Sequence, residues 1–268
     1  MNAVSRLIVL LTDFGYRDPY VGVMKGVIKK INPRAEIIDL THGISRQNVL
    51  EAAVILLVSR RYFSEKTIFV CVVDPGVGTS RRAIVMETKH YTYVGPDNGC
   101  LALAAEDDGI VGIYDVSESE FTLKNKSYTF HGRDVFAPIA AYLSLGYPPE
   151  SLGHRVDKYV RIDVPSPQIR GEALEGRIVY IDVFGNAMTN IYRDLLEKTG
   201  ITYGDVLNIL HGAKTIMCKF VPSFGYVEHG ETACYINSWG YLEIGVNHGN
   251  ASQKHGLRQL DKIVVEKT

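Results

Sequence analysis

The chain has 268 residues, of which 46% are hydrophobic, and its 29 basic and 30 acidic residues leave a formal net charge of −1. A chain of this length exceeds the usual size of one domain and can bury sizeable cores, so we expect two domains. The balanced charge excludes a sequence-wide basic field for nucleic acid or an anionic membrane surface, and it favours a small-molecule site.

The sequence predicts neither a membrane span nor a secretion signal. Apolar runs such as 6–11 and 52–58 are far shorter than the roughly 18 to 20 residues of a spanning helix. The N-terminus lacks the ordered charged, apolar and small-residue regions of a signal peptide. We therefore expect a cytoplasmic protein. No cysteine has the C-x-x-C spacing of a zinc or redox site, so buried reduced thiols are expected at Cys71, Cys100, Cys218 and Cys234.

Strand and helix patterns alternate along residues 1–162. Apolar strands are predicted at 6–13, 35–42, 66–74, 82–88 and 109–116, with a further β run and its turn over 91–99, and helices over 19–32, 45–63, 99–107 and 134–146. Strands that alternate with helices form sheets covered on both faces. We expect an α/β domain with a mainly parallel sheet and helices on both faces.

The pattern changes after a segment with two prolines. Residues 163–171 have neither a helical nor a strand period, which is typical of an inter-domain linker. Short β runs separated by Gly and Asn turns follow over 172–268. Such spacing predicts a second domain that is a small antiparallel β-barrel.

Aspartates stand at or near the ends of three predicted strands, as Asp13, Asp39 and Asp74. Ligands of parallel sheets bind beyond the carboxyl ends of the strands, so a polar group there is a site candidate. An aspartate in this position also caps turns and helices. Three of them at one edge favour a binding site over three separate caps.

The loop that follows the third strand contains two glycines and two arginines but no phosphate-binding motif. Its glycine spacing matches neither a P-loop nor a dinucleotide fingerprint, because Arg81 occupies the last position. Glycines allow a tight loop that returns Arg81 toward Asp74. His131 lies in a later loop, before a helix that we expect Asp134 to cap. If these loops share one rim, the aspartate, arginine and histidine could bind and deprotonate a water molecule; Arg82 is expected to be a surface or salt-bridge residue.

The ordered motifs of the chain resemble the adenosine-forming S-adenosyl-L-methionine hydrolases, which are related to the bacterial fluorinase and chlorinase. The resemblance covers nearly the whole chain. It rests on LLTDFG (10–15), VVDPGVGTSRR (72–82), VGPDNG (94–99), FHGRDVFAP (130–138), IDVFGNAMTNI (181–191) and NSWGYLEIGVNHGNA (237–251).

The resemblance implies an N-terminal α/β domain, a C-terminal β-barrel, and a homotrimer with active sites between subunits. The implied reaction is attack of water or hydroxide on the ribose C5′ of S-adenosylmethionine (SAM), which releases adenosine and methionine. Sulfonium is a good leaving group, so neither a metal nor a cofactor is implied. The protein mainly aligns an oxygen with the C5′–S bond.

The resemblance also implies residue roles. Asp74, Arg81 and His131 match the water-activating residues, and Asp13 matches the aspartate that accepts both ribose hydroxyls. In the predicted barrel, Asp182 matches a ligand of the methionine ammonium group. Further substrate contacts are implied for Phe184, Asn186, Met188, Asn237, Ser238 and Asn247.

Some positions depart from the fluorinase pattern or have another expected role. Trp239 stands where the fluorinase has arginine, and His248 where it has alanine, so no contact is assigned to either. Residues 95–99 are expected to form an architectural turn with positive φ at Gly99.

Two other functions stay open. A halogenase could use the same scaffold, although a carboxylate at the nucleophile site, such as Asp74, would repel a halide. A non-catalytic sensor would bind SAM or adenosine without releasing methionine.

Overall fold

The computed structural model describes residues 6–268, which form two units. The first unit ends at Ile162, and the second is Asp163–Thr268. The strands of the first unit are β1 (Ile8–Thr12), β2 (Ile37–Thr41), β3 (Ile68–Val72), β4 (Ala83–Thr88), β5 (Thr92–Pro96), β6 (Ile110–Asp115) and β7 (His154–Arg155). Its α-helices are α1 (Tyr20–Ile31), α2 (Val49–Ser59), α3 (Ala102–Asp108), α4 (Ala137–Ser144) and α5 (Pro149–Leu152).

These strands form one sheet in the order β2-β1-β3-β5-β4-β6-β7. The predicted α/β fold is confirmed, but only β2, β1, β3 and β5 pair in parallel. The other pairs, from β5 through β4 and β6 to β7, are antiparallel. The sheet is therefore mixed. The short connection between β4 and β5 explains the change, because a parallel pair needs a crossover of a dozen residues or more.

The core of the first unit positions the ends of the central strands. Every residue of β1 and β3 is buried, as expected for parallel strands with both faces covered. Alternate side chains of these strands pack with Met24 and Ile28 of α1 and with Ile139 of α4, while α2 packs against α3. The carboxyl ends of β1, β2 and β3 consequently meet at one edge of the sheet.

The second unit is a β-barrel. Its strands are β8 (Gln168–Arg170), β9 (Ala173–Ile181), β10 (Ala187–Tyr192), β11 (Val206–His211), β12 (Lys214–Phe220), β13 (Thr232–Ile236), β14 (Tyr241–Val246) and β15 (Lys262–Lys267), with helices α6 (Arg193–Glu197) and α7 (Ala251–His255). The strand order is β10-β14-β13-β12-β11-β15-β9-β8, and pairing of β10 with β9 closes a barrel of seven strands. The expected small barrel is confirmed.

Two details of the second unit differ from the sequence prediction. Strands β12 and β13 pair in parallel through Lys219 with Ala233 and Phe220 with Cys234, because the chain over 221–231 loops back alongside the last residues of β12 before β13 runs on in the same direction. The barrel is therefore mixed rather than wholly antiparallel. Part of the predicted linker, Gln168–Arg170, is a strand that pairs with β9; its proline-rich neighbours had hidden that short segment.

A disulfide links the parallel pair. Cys218 and Cys234 are bonded, with their Cα atoms 5.8 Å apart, whereas Cys71 and Cys100 are free and buried. The expectation of four reduced thiols was wrong for Cys218 and Cys234. Their separation of 16 residues has no recognisable motif, and only the fold brings the two strands side by side. Among residues 6–268, no helix has the length and apolar composition required to span a bilayer.

Candidate active site

Asp74, Arg81 and His131 are in direct contact at the edge where β3 ends. Arg81 Nε donates to Asp74 Oδ1 at 2.9 Å, and Arg81 Nη2 donates to Asp74 Oδ2. The same Nη2 lies 2.8 Å from His131 Nδ1. The structure therefore brings together the three residues that the sequence grouped as a water site.

The glycine-rich loop makes this contact possible. Gly78 has φ +75°, and a Cβ at this position would collide with the backbone carbonyl of Tyr128. Only glycine fits both the positive φ and the close approach. The loop after β3 can therefore pack against the segment that precedes His131 and return Arg81 to Asp74.

The charge state of the cluster follows from its hydrogen bonds. A guanidinium can only donate, so His131 Nδ1 accepts, and the neutral ring carries its proton on Nε2. Burial and the neighbouring Arg81 both lower the pKa of His131, which favours this neutral form. The Arg81 and Asp74 side chains are only 11% and 6% exposed. The cluster is thus a buried, charge-balanced pair with a neutral imidazole.

The helix that follows His131 braces the cluster. Arg81 lies over the ring of Phe136, with its Cζ 5.3 Å from the ring centroid. Phe136 belongs to a π-helical turn, Gly132–Phe136, which leads into α4. Such turns occur often at functional sites. Asp134 lies inside this turn and is fully buried, and it accepts from the backbone of Ser127. The expectation that Asp134 caps the helix was wrong, because the helical turn begins before it.

Asp13 follows β1 at the same edge of the sheet. Its Oδ2 accepts the backbone N–H of Gln47 at 2.8 Å. Gln47 has φ +62°, a conformation that non-glycine residues adopt rarely and that occurs at functional sites. Gln47 and the neighbouring Arg46 line the cleft beside Asp13. Sequence reasoning missed both residues, since no composition signal marks an exposed Arg-Gln pair.

One cleft of about 620 Å³ contains Asp13, Asp74 and His131. Its volume falls in the range of small-molecule pockets. Arg81 is not part of the lining and supports Asp74 and His131 from behind.

Aromatic side chains form part of the wall of this cleft. Phe14, Tyr20 and Phe130 line it, and Phe130 contacts the other two rings with centroid distances of 5.9 and 5.1 Å. Such rings offer apolar and stacking surface to a flat or apolar ligand.

Two other expected positions of the first unit are structural. Arg82 pairs with Asp97, and Asp97 also accepts the backbone N–H of Val160 at 2.8 Å. Asn98 donates to the carbonyl of Val73, and Gly99 has φ +100°. This agrees with the architectural role expected for residues 95–99 and with the salt-bridge role expected for Arg82.

The second unit has its own cleft, of about 850 Å³. Met188 is not part of its lining, because this residue is buried within β10; the geometry argues against the ligand contact expected for it. Trp239 and His248, to which no contact was assigned, do line the cleft. The predicted residues that line it are Asp182, Phe184, Asn186, Asn237, Ser238 and Asn247.

Asp182 organises the loop that carries Phe184. Its Oδ1 accepts the backbone N–H groups of Phe184 and Asn186 at 2.9 and 2.8 Å, and its Oδ2 accepts the side-chain amide of Asn186. Gly185 supplies the positive φ of this turn. Phe184 is left 71% exposed. Because a carboxylate has about four acceptor sites, Asp182 retains capacity for a further donor.

The two other predicted asparagines also hold loops in place. The side chain of Asn237 accepts from the backbone of Trp239 and Tyr241 and donates to Glu243 at 2.8 Å. Asn247 donates to the carbonyl of Val227. These side-chain amides are used within the unit, so their first role is to shape the cleft.

Glu243 is a buried carboxylate in this cleft that sequence reasoning missed. It lines the cavity and accepts from the hydroxyl of Tyr235 at 2.8 Å. Burial raises the pKa of Glu243. An acidic residue inside the apolar strand 241–246 was the available signal, since buried charged residues are rare without a partner.

The fold and the two clefts define a two-unit protein. Its α/β unit carries a contacting aspartate, arginine and histidine, and its β-barrel unit carries a second cleft. The model of the SAM hydroxide adenosyltransferase N-terminal domain matches residues 8–153, and that of the C-terminal domain matches residues 176–264. The chain therefore belongs to the SAM hydroxide adenosyltransferase family.

Similar proteins cover almost the full length of the chain. An (R)-S-adenosyl-L-methionine hydrolase of Methanocaldococcus jannaschii is 40% identical, with 97% of this chain and 95% of the relative covered. A fluorinase of an Actinoplanes species is 30% identical, with 97% of each covered. The crystal structure of an uncharacterized conserved protein from Thermotoga maritima has a TM-score of 0.93 and 43% identity, covering 97% of this chain and 100% of that one.

Proposed function

We propose that the protein hydrolyses SAM to adenosine and L-methionine. The observation that carries this proposal is the contact of Asp74, Arg81 and His131 at a cleft that also contains Asp13. Relatives that are 33 to 40% identical over nearly the whole chain are named (R)-S-adenosyl-L-methionine hydrolase, which supports the same reaction.

In this reaction a water oxygen forms a bond to ribose C5′ as the C5′–S bond breaks. The electron pair of that bond stays on sulfur, the sulfonium becomes the thioether of methionine, and the water loses one proton. Asp74 lines the cleft, and each of its oxygens retains a lone pair beside the bond from Arg81. We assign to Asp74 the role of accepting the proton that the water loses. Arg81 fixes this carboxylate and favours anionic oxygen, and neutral His131 offers an N–H donor.

Substrate recognition is divided between the two clefts. A carboxylate is suited to accept two hydroxyls, so Asp13 binds the 2′- and 3′-hydroxyls of the ribose. Asp182 binds the ammonium group of the methionine portion. Phe184 and the loop residues of the barrel cleft enclose the rest of the substrate.

The two clefts belong to different subunits of a homotrimer in this proposal. Asp74→Ala and Asp182→Ala variants should each be inactive alone, but co-expressed subunits should regain part of the activity, because one mixed site then holds both native residues. Activity no greater than that of either variant alone would contradict a shared site. Light scattering coupled to size exclusion checks the trimer itself.

The function is tested by incubating the purified protein with SAM, with and without fluoride or chloride, and separating the nucleosides by chromatography. Equal amounts of adenosine and methionine are expected whether or not halide is present. Halogenated adenosine as the main product would establish the halogenase instead. Binding of SAM without methionine release, even on long incubation, would indicate a sensor.

A further inference from the structure

A polar network at the end of β2, made of Thr12, His42, Asp39, Lys25 and Tyr16, has no role in the proposed reaction. His42 is buried, and its Nδ1 lies 2.8 Å from the hydroxyl of Thr12, which is also fully buried. Its Nε2 lies 3.1 Å from Asp39 Oδ1. The opposite oxygen of Asp39 accepts from Lys25 and Tyr16. Burying the polar side chains of Thr12 and His42 is unfavourable unless they are hydrogen-bonded.

The proton positions on the His42 ring follow from the groups that its two nitrogens face. The approach of His42 Nε2 to Asp39 Oδ1 is too bent for an ordinary hydrogen bond, and neither atom has another hydrogen-bond partner among residues 6–268. An Nε2 that faces only a carboxylate is stabilised as N–H. In the neutral ring, Nδ1 then accepts from the Thr12 hydroxyl.

Asp39 is the carboxylate at the other end of this polar network. Burial acts to raise its pKa, but the hydrogen bonds from Lys25 and Tyr16, together with the nearby imidazole of His42, outweigh burial and lower the pKa of Asp39. The negative charge therefore persists at neutral pH and holds the imidazole orientation, as carboxylates do for histidines in many sites.

Thr12 and His42, at one end of this polar network, hold the loop that contains Asp13. The Thr12 oxygen accepts the backbone N–H of Phe14 at 3.2 Å, and the His42 carbonyl accepts that of Gly15 at 2.7 Å. The residues on both sides of Asp13 are thus tied to His42. On the other side, the backbone of Gln47 fixes the Asp13 carboxylate.

We propose that His42 is a positioning residue that orients Asp13 through Thr12 for recognition of the ribose diol. This inference rests on the proposed function, in which Asp13 binds both ribose hydroxyls. A carboxylate that accepts two hydroxyls at once needs a defined orientation, and a preformed orientation lowers the entropy cost of binding. His42 itself does not touch the substrate.

The test compares the dissociation constants of adenosine and 2′,3′-dideoxyadenosine by calorimetry. Their ratio isolates the diol contact, because losses at all common contacts cancel. Thr12→Val retains the shape of the side chain but removes the hydroxyl, and His42→Phe retains a ring without its nitrogens. Thr92→Val is the matched control: Thr92 is also buried, and its hydroxyl accepts from Arg6 in another hydrogen-bond pair.

We expect the preference of the wild type for adenosine to fall about ten-fold, equivalent to about 1.4 kcal/mol, in Thr12→Val and in His42→Phe but not in Thr92→Val. In an Asp13→Ala background, Thr12→Val should lower the preference no further, because the group that it orients is gone. Thr12→Val makes the test independent of whether His42→Phe folds.

An unchanged preference in folded Thr12→Val would overturn the inference, even if SAM turnover fell. So would a Thr12→Val effect that persists in the Asp13→Ala background. A wild type that does not prefer adenosine would overturn the ribose assignment of Asp13 together with this inference. Release of adenosine from SAM by the wild type, measured in parallel, shows separately whether the proposed reaction stands.

Discussion

Replacing Arg81 by alanine should destabilise the first unit and abolish turnover together. This side chain makes two hydrogen bonds to Asp74, one to His131 and a cation–π contact with Phe136. Loss of the guanidinium leaves the Asp74 carboxylate buried without its cation. It also leaves Nδ1 of His131 without its donor.

The expected magnitude follows from the burial of the pair. Removing one partner of a buried ion pair typically costs about 3 to 5 kcal/mol, because the remaining charge stays away from water. We expect about 3 kcal/mol for Arg81→Ala, since the pair at 11% and 6% exposure retains some solvent contact. The double variant Asp74→Ala with Arg81→Ala removes both charges, so it should be less destabilised than the sum of the single variants by about 1 to 2 kcal/mol.

Urea unfolding distinguishes this effect from a general loss of stability. All helices longer than five residues within residues 6–268 lie in the first unit, so circular dichroism at 222 nm follows mainly that unit. The single tryptophan, Trp239, lies in the barrel, and its fluorescence is an internal control. A loss below about 1 kcal/mol in the helical transition, or strictly additive single variants, would refute the reasoning.

Three further predictions concern other groups. Burial and the neighbouring guanidinium lower the pKa of His131, so kcat should stay constant as the pH falls through the usual histidine value of about 6.5 and decline only below it; a decline centred above 6.5 would contradict this. Changing Cys218 and Cys234 to serine should lower the free energy of unfolding of the barrel by about 3 kcal/mol, as measured by urea unfolding followed by Trp239 fluorescence. Equal stability of wild type and variant would contradict a disulfide. Burial raises the pKa of Glu243 in the folded state, so what its protonated carboxyl contributes to the free energy of unfolding should be lost as the pH rises through this raised pKa. The stability of the wild type relative to Glu243→Gln should therefore decrease from pH 4 to 7. A constant difference would argue against this burial effect.

The contact of Asp74 with Arg81 could be predicted from the sequence because the two residues are close along the chain. Asp74 and Arg81 are separated by seven residues, and a glycine-rich turn is known to bring such neighbours together. His131 required the further rule that polar groups gather beyond the carboxyl ends of parallel strands.

Other parts of the site depend on contacts that no local pattern reports. The hydroxyl of Thr12 and His42 are 30 positions apart, and nothing in either segment shows that they meet. The φ of Gln47 and the pairing of Cys218 with Cys234 likewise follow from the neighbours that the fold supplies. In the barrel, the spacing of short β runs and their Gly and Asn turns predicted the strands but not the direction in which β12 and β13 pair.

The choice between hydrolysis and halogenation depends on the local charge more than on overall similarity. Relatives with either name cover nearly the whole chain, at 40% and 30% identity, so similarity alone separates them weakly. At the site, Arg81 already donates to Asp74 and to His131. Its positive charge is therefore balanced, and of this ion pair it is the Asp74 carboxylate, not Arg81, that lines the cleft. A halide there would meet a negative charge, whereas water can donate a hydrogen bond to it, and this asymmetry favours oxygen as the nucleophile.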